Sequence, residues 1–160
     1  MILKKLNLVN FRNYTKIEIK FCKNLNIFIG DNASGKTNIL ESIVILALTK
    51  SYRDNINMNL IKFNKKLAKV SGVIDNNKII NKISIEIDEK NKNMFINKTK
   101  IRKAIDYLSY LNIIYFTPDD LNIVKGSPSI RRNLLNIQLS QISKSYLIAL
   151  TKYNKLLKTR

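Results

Sequence analysis

Apolar and polar residues alternate near the start of the chain, which is the pattern of β-strands with one buried face. Residues 3–9 carry leucines at spacings that mark a first strand. Between residues 17 and 21, apolar residues alternate with Glu18 and Lys20, as expected for a half-buried second strand. Residues 25–29 form a short, mostly apolar run, Leu-Asn-Ile-Phe-Ile, which predicts a third and buried strand.

The pattern then changes to a helical period. Apolar residues recur through 38–48 at the spacing of one helix face. After a polar connection rich in Asn and Lys, residues 70–74 and 79–87 predict the two strands of a hairpin that turns at 75–77. A further short strand is predicted at 94–96.

The remaining residues predict helices with one strand among them. We expect a helix over 102–109 and a strand over 112–116. Pro118 suits the first turn of a short helix, which Gly126 then ends. A long amphipathic helix over 127–160 opens with Ser-Pro, a capping residue followed by proline at the first helical position.

An eight-residue segment between the third strand and the first helix has the spacing Gly-x-x-x-x-Gly-Lys-Thr. Its glycines let the backbone turn tightly, so that successive N–H groups face one anion. The lysine supplies a positive charge for the β- and γ-phosphates, and the threonine hydroxyl is a ligand for Mg²⁺. We therefore predict a nucleoside triphosphate site with Mg²⁺ at Gly30, Asp31, Asn32, Ala33, Ser34, Gly35, Lys36 and Thr37.

Composition adds a strong positive charge and excludes two classes of site. The chain has 29 Lys and Arg against 11 Asp and Glu, a net charge of +18. Such a field attracts polyanions, which makes nucleic acid the default partner. A codon preference for Lys, Asn and Ile is the alternative source of the charge. One cysteine and no histidine exclude an intrachain disulfide and a Cys/His metal site.

Three blocks of the sequence resemble the RecF family of bacterial recombinational-repair ATPases. Residues 8–14, Leu-Val-Asn-Phe-Arg-Asn-Tyr, are similar to the N-terminal motif of that family. The phosphate loop and its continuation at 38–43 resemble both RecF and the wider group of SMC-like ATPases. Residues 116–136 resemble RecF in particular, although Asn136 stands where RecF proteins usually have Asp.

The resemblance implies an α/β fold, the P-loop NTPase head of ABC-type ATPases. Such a head has a parallel sheet, an antiparallel β layer and, here, a long C-terminal helix. We expect an ATP-binding head over 1–126 and the start of a helical lobe over 127–160. RecF proteins are about twice as long, so the chain resembles their N-terminal half. The signature and Walker B motifs belong to the other half, and whether this chain hydrolyses ATP stays open.

Five residues outside the loop are candidates for contact with phosphate. In RecF-like proteins the positions that match Arg12 and Asn13 lie near the nucleotide, although a solvated turn is an equal alternative. The resemblance to SMC-like ATPases suggests a phosphate or DNA contact for Arg53, although an ordinary surface arginine is an equal alternative. Arg131 and Arg132 open a helix, where a cation is unfavourable against the helix dipole, and this favours an anionic partner or a buried ion pair.

The function implied is ATP-dependent DNA binding in recombinational repair, the response to DNA damage and replication restart. The implied partners are single-stranded or gapped DNA, repair-mediator and recombinase-loading proteins, and a second copy in an ATP-dependent homodimer. With no signal peptide or membrane span in its pattern, the chain is expected in the cytoplasm. Two alternatives stay open: a small-substrate P-loop kinase or NTPase, and a non-catalytic basic fragment with a relict loop.

Overall fold

The computed structural model describes residues 1–159, apart from the side chain of Asp119. The chain divides into two compact units, Met1–Leu111 and Asn112–Arg160. Sequence patterns placed the end of the ATP-binding head at residue 126 instead, and that domain boundary stays a prediction.

The first unit is built on a six-stranded sheet in the order β2-β1-β3-β4-β5-β6. Every pair of neighbouring strands in it is antiparallel. The predicted first and second strands and the later hairpin are all present. The strands are β1 Ile2–Phe11, β2 Tyr14–Lys20, β3 Ala68–Asn76, β4 Ile79–Ile87, β5 Lys92–Ile96 and β6 Thr99–Ile101.

Two-residue turns set the register of the hairpins. Asn77 and Lys78 join β3 to β4 with φ angles of 51° and 75°, and Asn97 and Lys98 join β5 to β6 with 48° and 72°. Two successive positive φ angles match the right-handed twist of the flanking strands, and Asn tolerates this conformation better than most residues. The turns therefore hold β3 to β6 as a meander.

One helix, α1 (Lys36–Leu48), covers the apolar face of the sheet. Its central residues Ile45 and Leu46 are fully buried, as are Leu8 on β1 and Val70 on β3. Gly72 lets the helix approach β3 closely, because a Cβ there would lie 2.6 Å from Leu46 Cδ2. A short helix, α2 (Ala104–Tyr107), follows the sheet and is shorter than the predicted 102–109.

Two predicted strands are wrong. Residues 25–29 form no strand, and the side chains of Leu25, Ile27 and Ile29 are 73%, 71% and 91% exposed. Residues 112–116 form none either, and Ile114 and Phe116 are exposed. A strand needs a neighbour for its backbone hydrogen bonds, and no described strand pairs with either segment. The expected parallel pairing is therefore missing among the described strands.

The Asn112–Arg160 unit contains a 3₁₀ turn at Pro118–Leu121 and α3 (Asn122–Lys125), which Gly126 ends as predicted. The single long helix predicted over 127–160 is not continuous. It is divided into α4 (Pro128–Ile142) and α5 (Lys144–Lys158) at Ser143, whose backbone is extended. The Ser143 hydroxyl accepts a hydrogen bond from the Tyr146 N–H at 3.2 Å and so caps a new helix. None of the helices among residues 1–159 is long and apolar enough to cross a membrane.

A buried hydrogen bond between α2 and α1 yields a test of this packing. The Tyr107 hydroxyl donates to the Leu46 carbonyl oxygen at 2.9 Å, and burial raises the pKa of this phenol. We expect Tyr107→Phe to lower the free energy of unfolding by about 1 kcal/mol, because a buried carbonyl loses its hydroxyl partner. Urea denaturation measures the change, with the exposed Tyr153→Phe as the control. Equal stability of both variants and the parent chain would contradict this packing.

Candidate nucleotide site

The loop at residues 30–37 folds over the side chain of its own lysine. The Lys36 ammonium donates to the carbonyl oxygens of Gly30 and Asp31 at 2.6 and 2.7 Å. The Ser34 N–H donates to the Asp31 carbonyl oxygen at 3.2 Å, which closes the turn. These contacts place a positive charge at the centre of the loop, as the spacing predicts.

Gly35 is the residue that the geometry of the loop requires most strictly. It caps α1 with a φ of 104°, a left-handed conformation that side chains rarely adopt. A Cβ there would lie 2.6 Å from Tyr14 Oη and 2.7 Å from Asn13 Nδ2. Because glycine also has no capping side chain, the first N–H groups of α1 remain available to an anion.

The turn between β1 and β2 packs directly against the loop. Asn13 accepts a hydrogen bond from the Asn38 amide at 2.9 Å, and its own amide donates to the Ser34 carbonyl oxygen at 3.5 Å. Burial of the Tyr14 ring raises the pKa of its phenol, which stays neutral. The structure thus brings Asn13 to the loop, and its contact with a nucleotide stays a prediction.

Arg12 forms a two-pronged ion pair with Glu41 of α1. Its Nε and Nη2 atoms donate to the two carboxylate oxygens at 3.0 and 2.7 Å. The Glu41 side chain is fully buried, and that of Arg12 is 18% exposed. Arg12 Nη1 also donates to the Asn59 carbonyl oxygen at 2.7 Å. This pair joins the β1–β2 turn to the helix that follows the phosphate loop.

Arg53 reaches the same carboxylate from the segment after α1. Its Nη1 atom lies 3.5 Å from Glu41 Oε2 and donates to Asn38 Oδ1 at 3.0 Å. The Ser51 hydroxyl donates to Glu41 Oε1 at 2.5 Å. Glu41 therefore binds both candidate arginines of this unit, and Asn38 links Arg53 to Asn13.

Asp54 adds a second carboxylate to this cluster. The Ile56 N–H and the Asn59 amide hold its pKa below the ordinary value. It stays ionised at neutral pH and lies 4.0 Å from Arg12 Nη1. The two carboxylates thus neutralise the charge of the two arginines. The positive charge that attracts phosphate therefore comes from Lys36 and from the N-terminus of α1.

Arg131 and Arg132 lie in the other unit. The guanidinium of Arg131 donates to the carbonyl oxygens of Ile123 and Gly126, both at 3.1 Å. It thus binds carbonyls at the end of α3, which offsets its unfavourable place near the start of α4. The side chain of Arg132 is exposed. Contact of either residue with DNA or phosphate stays a prediction.

Sequence reasoning did not include Glu41 and Asn38 among the site residues. Glu41 carried a signal, since it is the one charged residue within the apolar run 38–48. A carboxylate on the buried face of a helix requires a cationic partner. Asn38 carried none, because its role depends on the folded positions of Asn13 and Arg53.

Comparisons with known proteins identify a family and similar chains. The AAA ATPase domain family matches residues 1–159. The chain is 46% identical over 160 residues to the DNA replication and repair protein RecF of Streptococcus gordonii, and covers 44% of that protein. It is 44% identical over 161 residues to the RecF protein of Clostridium novyi, and covers 45% of it. The chain thus spans less than half the length of these relatives.

Solved structures give the same result. The recombination mediator protein RecF in its ATPrS and ATP forms matches with TM-scores of 0.91 and 0.89, each at 33% identity. These matches cover 99% and 98% of this chain and 43% of each RecF chain. The SMC head domain from Thermotoga maritima shares the fold, with a TM-score of 0.53 and 24% identity over 64% of this chain and 39% of that one.

The ABC-type P-loop fold expected from the sequence is confirmed by these neighbours. The family match extends over 1–159, and the RecF matches extend over the whole chain. The chain belongs to the AAA ATPase domain family, and its sequence is similar to RecF proteins along its whole length.

Proposed function

We propose that this chain binds ATP with Mg²⁺ at residues 30–37. We further propose that it acts as part of a RecF-like protein, which binds DNA in an ATP-dependent way during recombinational repair and replication restart. One observation carries the proposal. The loop closes around Lys36 at the start of α1, and Asn13 and Tyr14 pack on its last glycine. A RecF structure named for ATP, with a TM-score of 0.89, supports ATP as the nucleotide.

The chain's own residues have separate roles in binding ATP. Lys36 would hold oxygens of the β- and γ-phosphates, which bind a cation more strongly than its present carbonyl partners do. The first N–H groups of α1 would donate to the same phosphates. Glu41 keeps Arg12 and Arg53 beside the loop and, together with Asp54, balances their charge. Binding therefore depends on contacts that the fold has already positioned.

Thr37 fits the Mg²⁺ that accompanies ATP. Its side chain is exposed in the first turn of α1. Mg²⁺ usually takes one or two protein ligands and completes its shell with phosphate oxygens and water, so a single hydroxyl here is sufficient. The ion supplies neutralisation of phosphate charge. The described residues contain no cluster of His, Cys, Asp and Glu that could hold a metal by itself.

The wider activity follows the RecF resemblance. In that scheme ATP lies between two heads, with the loop of one facing the signature motif of the other, and hydrolysis resets the clamp. The partners are DNA at single-strand/double-strand junctions, mediator and recombinase-loading proteins, and a second copy of the head. These 160 residues hold the ATP-binding loop and no Leu-Ser-Gly-Gly signature. We therefore expect binding of ATP without efficient hydrolysis.

The alternatives receive less support. Identity to RecF extends over the whole chain, beyond the loop that kinases and GTPases share with it. A relict loop would also have no need to keep the contacts of Asn13, Asn38 and Glu41 around it. The RecF-like function therefore accounts for more of the site than either alternative.

Replacement of Lys36 tests nucleotide binding. We expect Lys36→Ala to weaken ATP binding at least tenfold, because a charge-assisted hydrogen bond is worth about 1.5–3 kcal/mol. Calorimetric titration of the chain with ATP and Mg²⁺ measures the affinity. The exposed Lys23→Ala is the matched control and should bind as the parent chain does. Equal affinity of the two variants would remove the basis of the proposal.

Glu41 provides a test of the ion-pair cluster. We expect Glu41→Gln to lower the free energy of unfolding by about 3 kcal/mol, because it leaves Arg12 without its buried counter-ion. Adding Arg12→Gln should cost little more, since the pair is already broken. Urea denaturation of the two single variants and the double variant gives the coupling energy. The exposed Glu89→Gln is the control, and losses that simply add would contradict a direct pair.

A further inference from the structure

The two faces of the antiparallel sheet differ in chemistry. Successive residues of a strand point to opposite faces. Gly72 faces α1, because a Cβ there would meet Leu46, so Ser71 points away from the helix. Register then places Asn7 of β1 and Ser84 of β4 beside Ser71 on that outer face. A row of short polar side chains therefore crosses the sheet at right angles to its strands.

This row forms the floor of a groove of about 440 Å³. We call it the outer-face groove, lined by Asn7, Ser71 and Ser84 and by Lys5, Lys69, Lys82 and Lys98. Glu86 is the one acidic residue of the lining. The groove lies on the opposite face of the sheet from α1 and is thus separate from the nucleotide site.

The lysines of the outer-face groove are not equivalent. Lys5 pairs with Glu18 at 2.7 Å, and Lys69 pairs with Glu86 at 2.8 Å. Lys82 and Lys98 make no ion pair with any residue of the described range 1–159. The positive charge of the groove is therefore concentrated at the end where these two lysines lie.

The fold brings these two like charges into one place. The Lys82 N–H donates to Asn97 Oδ1, and the Asn97 N–H donates to the Lys82 carbonyl oxygen, both at 2.8 Å. Asn97 thereby fixes the β5–β6 turn, which carries Lys98 at a φ of 72°, against β4. Both lysines line the groove, and an anion bound there would be attracted by both charges.

We propose that the outer-face groove binds the sugar–phosphate backbone of a nucleic acid, with Lys82 and Lys98 on its phosphates. That the nucleic acid is DNA rests on the proposed function, and the groove adds the place where DNA binds. Three strands at about 4.8 Å spacing give a row of about 10 Å, which spans roughly three phosphates of one DNA strand. Lysines and hydroxyl groups contact phosphate without reading bases, so binding is independent of sequence.

The test compares two double variants of equal net charge. Lys82→Gln/Lys98→Gln removes the unpaired lysines of the groove, and Lys65→Gln/Lys66→Gln removes two exposed lysines outside it. Affinity for single-stranded and duplex DNA is measured against salt concentration. Each lost phosphate contact reduces the salt slope by about 0.7–0.9, so the groove variant should lose a slope of about 1.5 and bind roughly tenfold more weakly. The control should keep the slope of the parent chain.

Several results would overturn the assignment. Equal losses in both double variants would mean that net charge alone attracts DNA, and no DNA binding by the parent chain at low salt would exclude the groove outright. If inorganic tripolyphosphate displaces bound DNA from the chain as effectively as a competing DNA strand does, the groove is a site for small anions. Binding to vesicles of phosphatidylglycerol and phosphatidylcholine is measured as well. If the groove variant loses affinity for the vesicles but keeps its affinity for DNA, the groove binds a membrane surface instead.

Two further measurements separate this proposal from nucleotide binding and from misfolding. Calorimetry with ATP and Mg²⁺ should give the same ATP affinity for the groove variant and the parent chain. ATP affinity thus tests the nucleotide site, and DNA affinity separately tests the groove. Lys98 is exposed on a turn, and the single variant Lys98→Gln should fold normally and still reduce the salt slope by about 0.7–0.9. An unchanged slope in that variant would contradict the proposal.

Discussion

The buried carboxylate of Glu41 is the contact on which the site depends. It lies one turn beyond the phosphate loop, and it binds Arg12 from the β1–β2 turn and Arg53 from the segment after α1. A buried charge without partners is costly, so these segments must meet for the fold to be stable. The same meeting brings Asn13 and Tyr14 onto Gly35 and restricts that position to glycine. The requirement to satisfy one carboxylate thus also sets the shape of the loop.

The sheet separates two kinds of phosphate chemistry. On one face, α1 begins at the loop, where a single lysine and a helix N-terminus suit a compact triphosphate. On the other face, Asn7, Ser71 and Ser84 form a polar row with lysines along it, which suits an extended backbone. Both faces come from the same strands, β1, β3 and β4, because alternate residues of a strand point to opposite sides of the sheet. We infer that ATP and DNA use opposite surfaces of one sheet.

Sequence patterns predicted what depends on local chemistry. The hairpin and the helix stop at Gly126 are confirmed in the structure, because glycine, asparagine and alternating residues act over a few positions. Residues 25–29 and 112–116 were predicted as strands from apolar content, but a strand also depends on a neighbour that local sequence does not specify. The break at Ser143 was missed because a serine inside an amphipathic pattern can either continue a helix or cap a new one. Glu41 was visible as a charge in an apolar run, although its partners emerge only from tertiary structure.

The most direct test of the central claim is a crystal structure of the chain grown with ATP and Mg²⁺. In the present structure the Lys36 ammonium lies 2.6 and 2.7 Å from the carbonyl oxygens of Gly30 and Asp31. The account predicts that it will contact the β- and γ-phosphates instead, with Thr37 on the metal ion and the pair of Arg12 with Glu41 intact. Nucleotide bound away from residues 30–37, or Lys36 still on its two carbonyls beside a bound nucleotide, would contradict the account.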